Sequence, residues 1–346
     1  MLLSVCIPSY NRSAVLPSLL DSVLKQEFTD YEVVICEDNS PQRPEIRAIV
    51  ARYCADYPGR IRYIENQANL GYDGNLRELI GQAAGTYCVF MGNDDLMCPG
   101  ALAALAGAVA RHPNVGVIVR SYAAFDGDPS NIVQTFRYFP EERFLPAGAD
   151  TIVTAYRRSV VIPGMVIHRE TAHRLATAEF DGTLLYQLYL VASILMEMNA
   201  VFLPQIVVLY RNGGVPDFGN SEAERGKFVP KEQTVESSIE FMRGMLRIAS
   251  AVQERRRVAI RQRIVADIAN YSYPILALQR YRPVGQFVRY WRSLSKLGFG
   301  GYPLFHLYFL ALLFFGAKRT EAIILLIKRR LGYTPTLGSI GRGARS

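Results

Sequence analysis

Two hydrophobic rhythms alternate along the first 120 positions. Short unbroken apolar runs at residues 3–7, 31–36, 61–64, 87–91 and 115–119 read as strands buried on both faces. Between them, apolar residues return every three or four positions. Val15, Leu16, Leu19, Leu20, Val23 and Leu24 predict a helix, with Ser13 placed to cap it and Pro8 ending the strand before it. Similar spacing predicts helices at 45–57, 74–83 and 101–111. Strands alternating with helices predict an α/β domain built on a mostly parallel, Rossmann-like sheet covered on both faces. Residues 121–160 are rich in Gly, Pro and Asp and read as loops over one sheet edge. A strand near 160–167, a helix at 184–198 and a strand at 206–210 complete the body. The polar, turn-rich stretch 212–230 closes it as a loop or lid.

The pattern then changes. Residues 232–252 and 255–278 read as two helices, followed by an uncharged run between Lys296 and Lys318 that is dense in aromatic residues. A membrane-spanning helix needs ~20 mostly apolar residues, and the glycines and Pro303 leave about 14 here. Lys318-Arg319 and Lys328-Arg329-Arg330 flank a second apolar helix at 322–327. This fits interfacial or re-entrant helices better than one clean span. A hairpin buried against the core or a partner subunit is the alternative. The expected division is 1–230 for the α/β domain and 231–346 for a basic, helical, membrane-associating region.

Charge sharpens that division. Residues 251–346 hold 17 of the 39 Lys and Arg but 3 of the 31 Asp and Glu, which leaves 22 against 28 in the rest. An acidic body thus carries a basic tail. Such tails bind nucleic acid or anionic membrane; the long uncharged apolar run would be wasted on nucleic acid, so an anionic membrane surface is the expected partner. Five cysteines form no CxxC pair, and a strand begins at once with no secretory leader, which predicts a reduced, cytoplasmic setting at the cytoplasmic face of a membrane, peripheral or monotopic. The four histidines have no metal spacing, and neither a P-loop nor a strand followed by GxGxxG is present.

The chemistry lies at strand ends. Pro8-Ser9-Tyr10-Asn11-Arg12, Glu37-Asp38-Asn39-Ser40 and Gly92-Asn93-Asp94-Asp95 each come directly after a strand. In a parallel sheet all three reach one edge, where open α/β sheets bind ligands. Two adjacent carboxylates repel unless a cation or hydrogen bonds hold them, so Asp94 and Asp95 suit a divalent cation that would neutralise a diphosphate. A turn with a helix cap explains the same Asp, Pro and Gly residues without any ligand.

Taken together, these motifs resemble the family 2 glycosyltransferases, inverting enzymes with the nucleotide-sugar-binding GT-A fold. The resemblance is clear over roughly residues 3–120 and weak over 160–211. SVCIPSYNR looks like the family's first strand and loop, implying donor contacts at Pro8, Tyr10, Asn11 and Arg12. VVICEDNS resembles its second strand, with Glu37 beside a base-facing Asp38. Asn69, Gly71 and Asn75 look like its donor loop and helix start. FMGNDD corresponds to its metal motif, with Asn93 and Asp94 near the donor and Asp94 and Asp95 as ligands of Mn²⁺ or Mg²⁺. The family often has Asp where this chain has Gly92. Its catalytic base usually lies in an acidic pair opening a late helix, and counting back from Arg211, itself a candidate diphosphate contact, puts Tyr186-Gln187 there. The nearest carboxylate is Asp181, which could act as the base or as a plain helix cap.

The implied reaction moves a sugar from a nucleotide-sugar donor to a hydroxyl of a lipid-linked or polysaccharide acceptor. A non-catalytic nucleotide-sugar-binding homologue is the first alternative, kept open by Tyr186-Gln187. A sugar-phosphate nucleotidyltransferase ranks lower, because the loop after the first strand lacks the expected glycines. The sugar, the nucleotide base, the acceptor and any oligomer are left open.

Overall fold

The computed structural model describes residues 1–214 and 216–331. The chain divides into two compact units, Met1–Glu232 and Gln233–Ser346.

Among its described residues the first unit holds ten strands: β1 (Leu3–Ser9), β2 (Tyr31–Glu37), β3 (Ile61–Glu65), β4 (Tyr87–Phe90), β5 (Leu96–Met97), β6 (Val115–Phe125), β7 (Ile132–Phe136), β8 (Arg143–Leu145), β9 (Val166–His168) and β10 (Asn199–Arg211). They form one sheet in the order β3-β2-β1-β4-β9-β6-β10-β5, with β7 on β6 and β8 on β10. β3, β2, β1 and β4 pair in parallel. β9 enters between β4 and β6 in the opposite sense. The sheet is therefore mixed. Seven helices accompany it among the described residues: α1 (Leu16–Leu24), α2 (Arg43–Asp56), α3 (Gly71–Gln82), α4 (Ala101–Arg111), α5 (Ala149–Tyr156), α6 (Arg169–Arg174) and α7 (Tyr186–Ile194). Leu16, Leu19, Leu20 and Val23 of α1 pack with Val5, Ile7, Val33 and Val89 in one buried core.

Several elements depart from the sequence reading for identifiable reasons. β1 runs past Pro8, which stands opposite Cys36 of β2. The Cys6 carbonyl accepts from Met91 N, so alternate residues of β1 face β4. Pairing with β4 ends at Phe90, so the missing N–H of Pro8 points where no ladder bond is needed. Ser13 does not cap α1; its backbone N–H donates to Gln42 Oε1 at 2.9 Å, and the helix opens at Leu16 with Pro17 in its first turn. The irregular stretch 121–160 contains the end of β6, two further strands and α5. The strand expected at 206–210 is a 13-residue strand that bulges against β6.

The second unit is helical: α8 (Val235–Arg256), α9 (Arg261–Asn270), α10 (Tyr273–Ala277), α11 (Val284–Lys296) and α12 (Pro303–Leu331). Thr234 caps α8, its hydroxyl accepting from Ser237 N at 3.0 Å. The single helix expected over 255–278 is two, because Arg257 turns left-handed after α8 and Pro274 opens a new helix. α12 carries a break at Gly316 (φ 74°, ψ 174°). The helix expected at 322–327 is part of its second arm.

Gly182 marks the tightest approach in the first unit. It has φ +76°, and a Cβ there would stand 2.0 Å from the Ala223 carbonyl oxygen. Gly182→Ala is expected to cost about 3 kcal/mol, combining backbone strain with a clash against main chain. A urea midpoint within error of the parent would refute this.

Candidate functional site

Because β2, β1 and β4 are parallel neighbours, the loops at their carboxyl ends meet at one sheet edge. The loop after β1 turns through Asn11 and Arg12, both with positive φ (54° and 64°). Arg12 forms an ion pair with Asp94 from the loop after β4. Asn93 from that loop donates to the Tyr10 and Asn11 carbonyls at 3.3 and 3.2 Å. The two loops are thus stitched together by Asn93 and by the Arg12–Asp94 pair.

Glu37 and Asp38, adjacent in sequence, do different work. Glu37 is fully buried and accepts from Asn39 N, Ser40 N and the Arg43 guanidinium, so it organises the turn into α2. Asp38 reaches across to α3. Its Oδ1 accepts from Asn66 Nδ2 (2.8 Å) and Leu70 N (2.9 Å), and its Oδ2 from Gly71 N (2.9 Å). A carboxylate at a helix start satisfies amides that have no partner within the helix. Burial pushes Asp38 up to about 6 although these three donors pull it down. Asn75 accepts from Asn66 and donates to the Cys36 carbonyl, and Asn69 accepts from Gly71 N.

Asp95 is 1% exposed, and its Oδ1 accepts from Arg211 N at 2.9 Å. Burial first, then the adjacent Asp94, raises it to about 7. The Arg211 guanidinium donates to the Asp94 carbonyl at 2.9 Å. A Cβ at Gly92 would meet Asp95 Oδ2 at 2.4 Å, so an Asp there, common in the resembling family, would require the Asp95 carboxyl to shift.

The strand-end candidates thus lie on loops at one sheet edge, where contacts join the β1 loop to the β4 loop and the Asp38 amide to the Ser9 carbonyl. Asp181 does not join them through these contacts. It forms a two-pronged ion pair with Arg77 of α3, at 2.6 and 2.8 Å. Arg77 thus holds a carboxylate that is 21% exposed. Tyr186 and Gln187 open α7 and are buried.

Other residues of the site carried no readable signal in the sequence. Asp73 on α3 accepts from Thr183 N, Leu184 N and Tyr186 N at 2.8–2.9 Å, so it anchors the entry to α7. Burial lifts it to about 7. Glu224 accepts from Tyr72 N and Gly219 N, both at 2.8 Å, and fastens the 212–230 loop onto the start of α3. Asp217 of the same loop accepts from Asn11 Nδ2 at 2.6 Å. The expected lid is therefore tied down at two points. Val215 lies outside the described residues. Asn66 belongs to the same group of unread residues, because the residues it joins lie far apart in the chain.

With this geometry in view, comparison with known proteins is decisive. Residues 4–173 match the family model described as glycosyl transferase family 2. Over those residues the chain is similar to glycosyl transferase family 2. It is also similar to the abequosyltransferase RfbV of Salmonella typhimurium, 34% identical over 105 residues (30% of this chain, 32% of the relative). Another is a GalNAc(5)-diNAcBac-PP-undecaprenol beta-1,3-glucosyltransferase of Campylobacter jejuni, 34% identical over 104 residues (30% and 33%). The chain spans about a third of the length of these curated relatives. In fold it is similar to S. aureus TarS 1-349 in complex with UDP-GlcNAc, with TM-score 0.59, 16% identity, and 96% and 88% of the two chains covered. It is also similar to the mannosyltransferase PcManGT from Pyrobaculum calidifontis in complex with GDP-Man and Mn²⁺ (TM-score 0.51, 15%, 92% and 87%). These solved structures share the fold of this chain.

Divalent cations occur in such neighbours, and the family 2 site here can be tested for fit. Among the described residues no three His, Cys, Asp or Glu side chains gather to hold a metal ion. Asp94 and Asp95 offer hard oxygen donors of the kind Mg²⁺ and Mn²⁺ take, and the space over Gly92 is filled by the Asp95 carboxyl. The residues fit a cation that shares its coordination with a bound diphosphate, and not a cage made by protein alone.

These charges generate two predictions. Arg12 would compete with a divalent cation brought to Asp94. Arg12→Gln should tighten Mn²⁺ binding to the nucleotide-free chain by about tenfold, one ion pair's worth, while weakening nucleoside diphosphate binding. Calorimetry with each ligand separately checks both signs, and a loss in both arms refutes the competition. The second concerns pH. Asp38, Asp73 and Asp95, raised to about 6 to 7 from an ordinary 3.8, keep protons in the folded chain that the unfolded chain has released. The folded state then binds more protons between those limits, so stability falls as pH rises through the window. Glu65 and Glu142, lowered by Arg47 and Arg111, act in the other sense only below an ordinary 4.5, and His168, lowered from an ordinary 6.5 by burial, is one group opposing three within the window. The ligand-free chain should melt higher at about pH 5.5 than at about pH 8; a flat or inverted Tm profile is the contrary result.

Proposed function

We propose that this chain is an inverting glycosyltransferase that moves a sugar from a nucleotide-sugar donor to a hydroxyl of a lipid-linked or polysaccharide acceptor. The observation that carries this reading is the single sheet edge where Asp38, Asn66 and Asn75 stand beside the Arg12–Asp94 pair, Asp95 and Arg211. The first group offers hydrogen-bond partners for a nucleoside; the second offers cations and carboxylates for a diphosphate and its counter-ion. The names of the relatives support the acceptor class, since the Campylobacter relative is named for a lipid diphosphate acceptor.

In the proposed reaction the acceptor oxygen bonds to the anomeric carbon as the bond from that carbon to the diphosphate oxygen breaks. The hydroxyl proton passes to a carboxylate, and the nucleoside diphosphate leaves. Pro8 and Tyr10 wall the nucleoside side, with Asn69 and Gly71 at the turn into α3. Glu37 acts by positioning Asp38. Arg12 and Arg211 face the diphosphate, Asn93 keeps their loops in register, and Asp94 and Asp95 would hold Mn²⁺ or Mg²⁺. When bound, such a cation supplies positive charge to the departing diphosphate. Asp181 takes the proton once Arg77 has released it. The basic second unit supports attachment to the cytoplasmic face of a membrane, where lipid-linked acceptors are presented.

Tyr186-Gln187 and the Arg77–Asp181 pair favour one other reading, a nucleotide-sugar-binding protein without turnover. Thermal stabilisation by UDP, GDP and dTDP, each with and without Mn²⁺, identifies the nucleotide. Transfer from the matching sugar nucleotides then separates the two readings. Asp95→Ala is expected to lower turnover at least ~100-fold, and Asp181→Asn to do the same with donor stabilisation intact. Donor binding with no transfer to any acceptor selects the binding protein. Full turnover in Asp181→Asn removes that residue from the reaction.

A further inference from the structure

We infer that the second unit lies on an anionic lipid surface, with α12 in the plane of the interface and not across the bilayer. The first arm of α12, residues 303–315, is committed on one face. Phe305, Phe309 and Leu312 are buried, and Phe309 stacks on Trp291 at 4.5 Å. The opposite stripe is bare: Leu307 is 53% exposed, Leu310 45% and Phe314 74%, with Phe315 at 54% beside them. Arg280 donates to the Leu312 and Leu313 carbonyls at 2.5 and 3.2 Å. Leu278 and Tyr281, close in sequence to Arg280, are exposed apolar residues as well. An apolar surface of this kind, tipped with aromatic residues, is covered by something in a working protein.

Beyond the Gly316 break the helix has few footholds. Thr320 is buried, whereas of the apolar run 322–327 all but Ile324 are exposed. Lys318 and Arg319 stand exposed at the break, with Glu321 the one acid nearby. Residues 233–331 hold 17 Lys and Arg against 5 Asp and Glu. A second copy of the chain would press this excess of cations against itself, whereas anionic lipid complements it. Among the described residues neither arm is long enough to cross. The two arms have 13 and 15 residues, roughly 20 Å each at 1.5 Å per residue, against a hydrocarbon core of ~30 Å. Among the described residues no helix is long and apolar enough to cross a membrane. A helix buried on one face and bare on the other, with cations at its bend, suits the headgroup boundary.

This inference stands on the second unit and does not need the transferase reading. It is tested by floating the purified full chain with phosphatidylcholine vesicles, with and without phosphatidylserine. The parent should float with the anionic vesicles and less at high salt. Lys318→Gln with Arg319→Gln should lower partitioning at least tenfold, at about fivefold per cation. Phe314→Asp with Phe315→Asp should abolish it. Trp291, the single tryptophan, reports through unchanged emission that the unit is still folded in each variant. Bound protein should transfer to fresh vesicles. Failure of the parent to float, variants that float like the parent, or binding that resists transfer would each overturn the proposal. So would a lipid-free dimer dissolved by the Phe314→Asp pair. Nucleotide-induced stabilisation, measured on the same variants, keeps a failure here separate from a failure of the donor site.

Discussion

The site depends on buried carboxylates accepting main-chain amides at helix starts. Asp38 takes the Leu70 and Gly71 amides of α3, Asp73 takes three amides at the entry to α7, and Glu224 takes Tyr72 N from a distant loop. Each charge is desolvated, which is costly, and each cost is offset only if the geometry holds. These bonds join elements that are remote in sequence. α3 is the common member: Asp38 and Glu224 hold its start, and it carries Asp73 and Arg77. A shift of this one helix would therefore be felt at the strand-end cluster and at the entry to α7 together.

Buried acids of this kind also explain why neighbouring residues in a motif do unlike work. Glu37 faces Arg43 and two amides of its own turn, whereas Asp38 leaves the strand end and reaches α3. Asp94 is paired with a guanidinium, whereas Asp95 is sealed beneath it against a main-chain amide. Adjacent strand-end residues point in opposite directions, so an acidic doublet supplies one group to the scaffold and another to the cleft.

The parallel half of the fold was legible because its signals are local. Apolar runs fixed β1, β2 and β4, and a parallel sheet necessarily delivers the loops at their carboxyl ends to one edge. Asp38, Asn93, Asp94 and Asp95 could be read for that reason. Asp73, Glu224 and Asn66 could not, since their partners lie up to 152 residues away and nothing in their own neighbourhood distinguishes them from solvated polar residues. β9 was placed roughly and its reversed direction was not foreseen, because three residues carry no directional pattern. The interruption at Gly316 was expected from the glycines that shorten the apolar run, whereas the return to helix directly after it was not.

The reversed strand has a consequence for how the chain is made. β9 fills the gap between β4 and β6, yet it is drawn from residue 166 onward, and β10 must then arrive from residue 199 to cover the other side of β6. Until those segments leave the ribosome, two hydrophobic strands stand with open hydrogen-bonding edges at the centre of the growing sheet. A polypeptide halted after the sixth strand would contain every motif needed to recognise the family, and would still be unable to close its own middle. Fragments designed from motif boundaries alone are thus poor candidates for a stable, isolated donor-binding half.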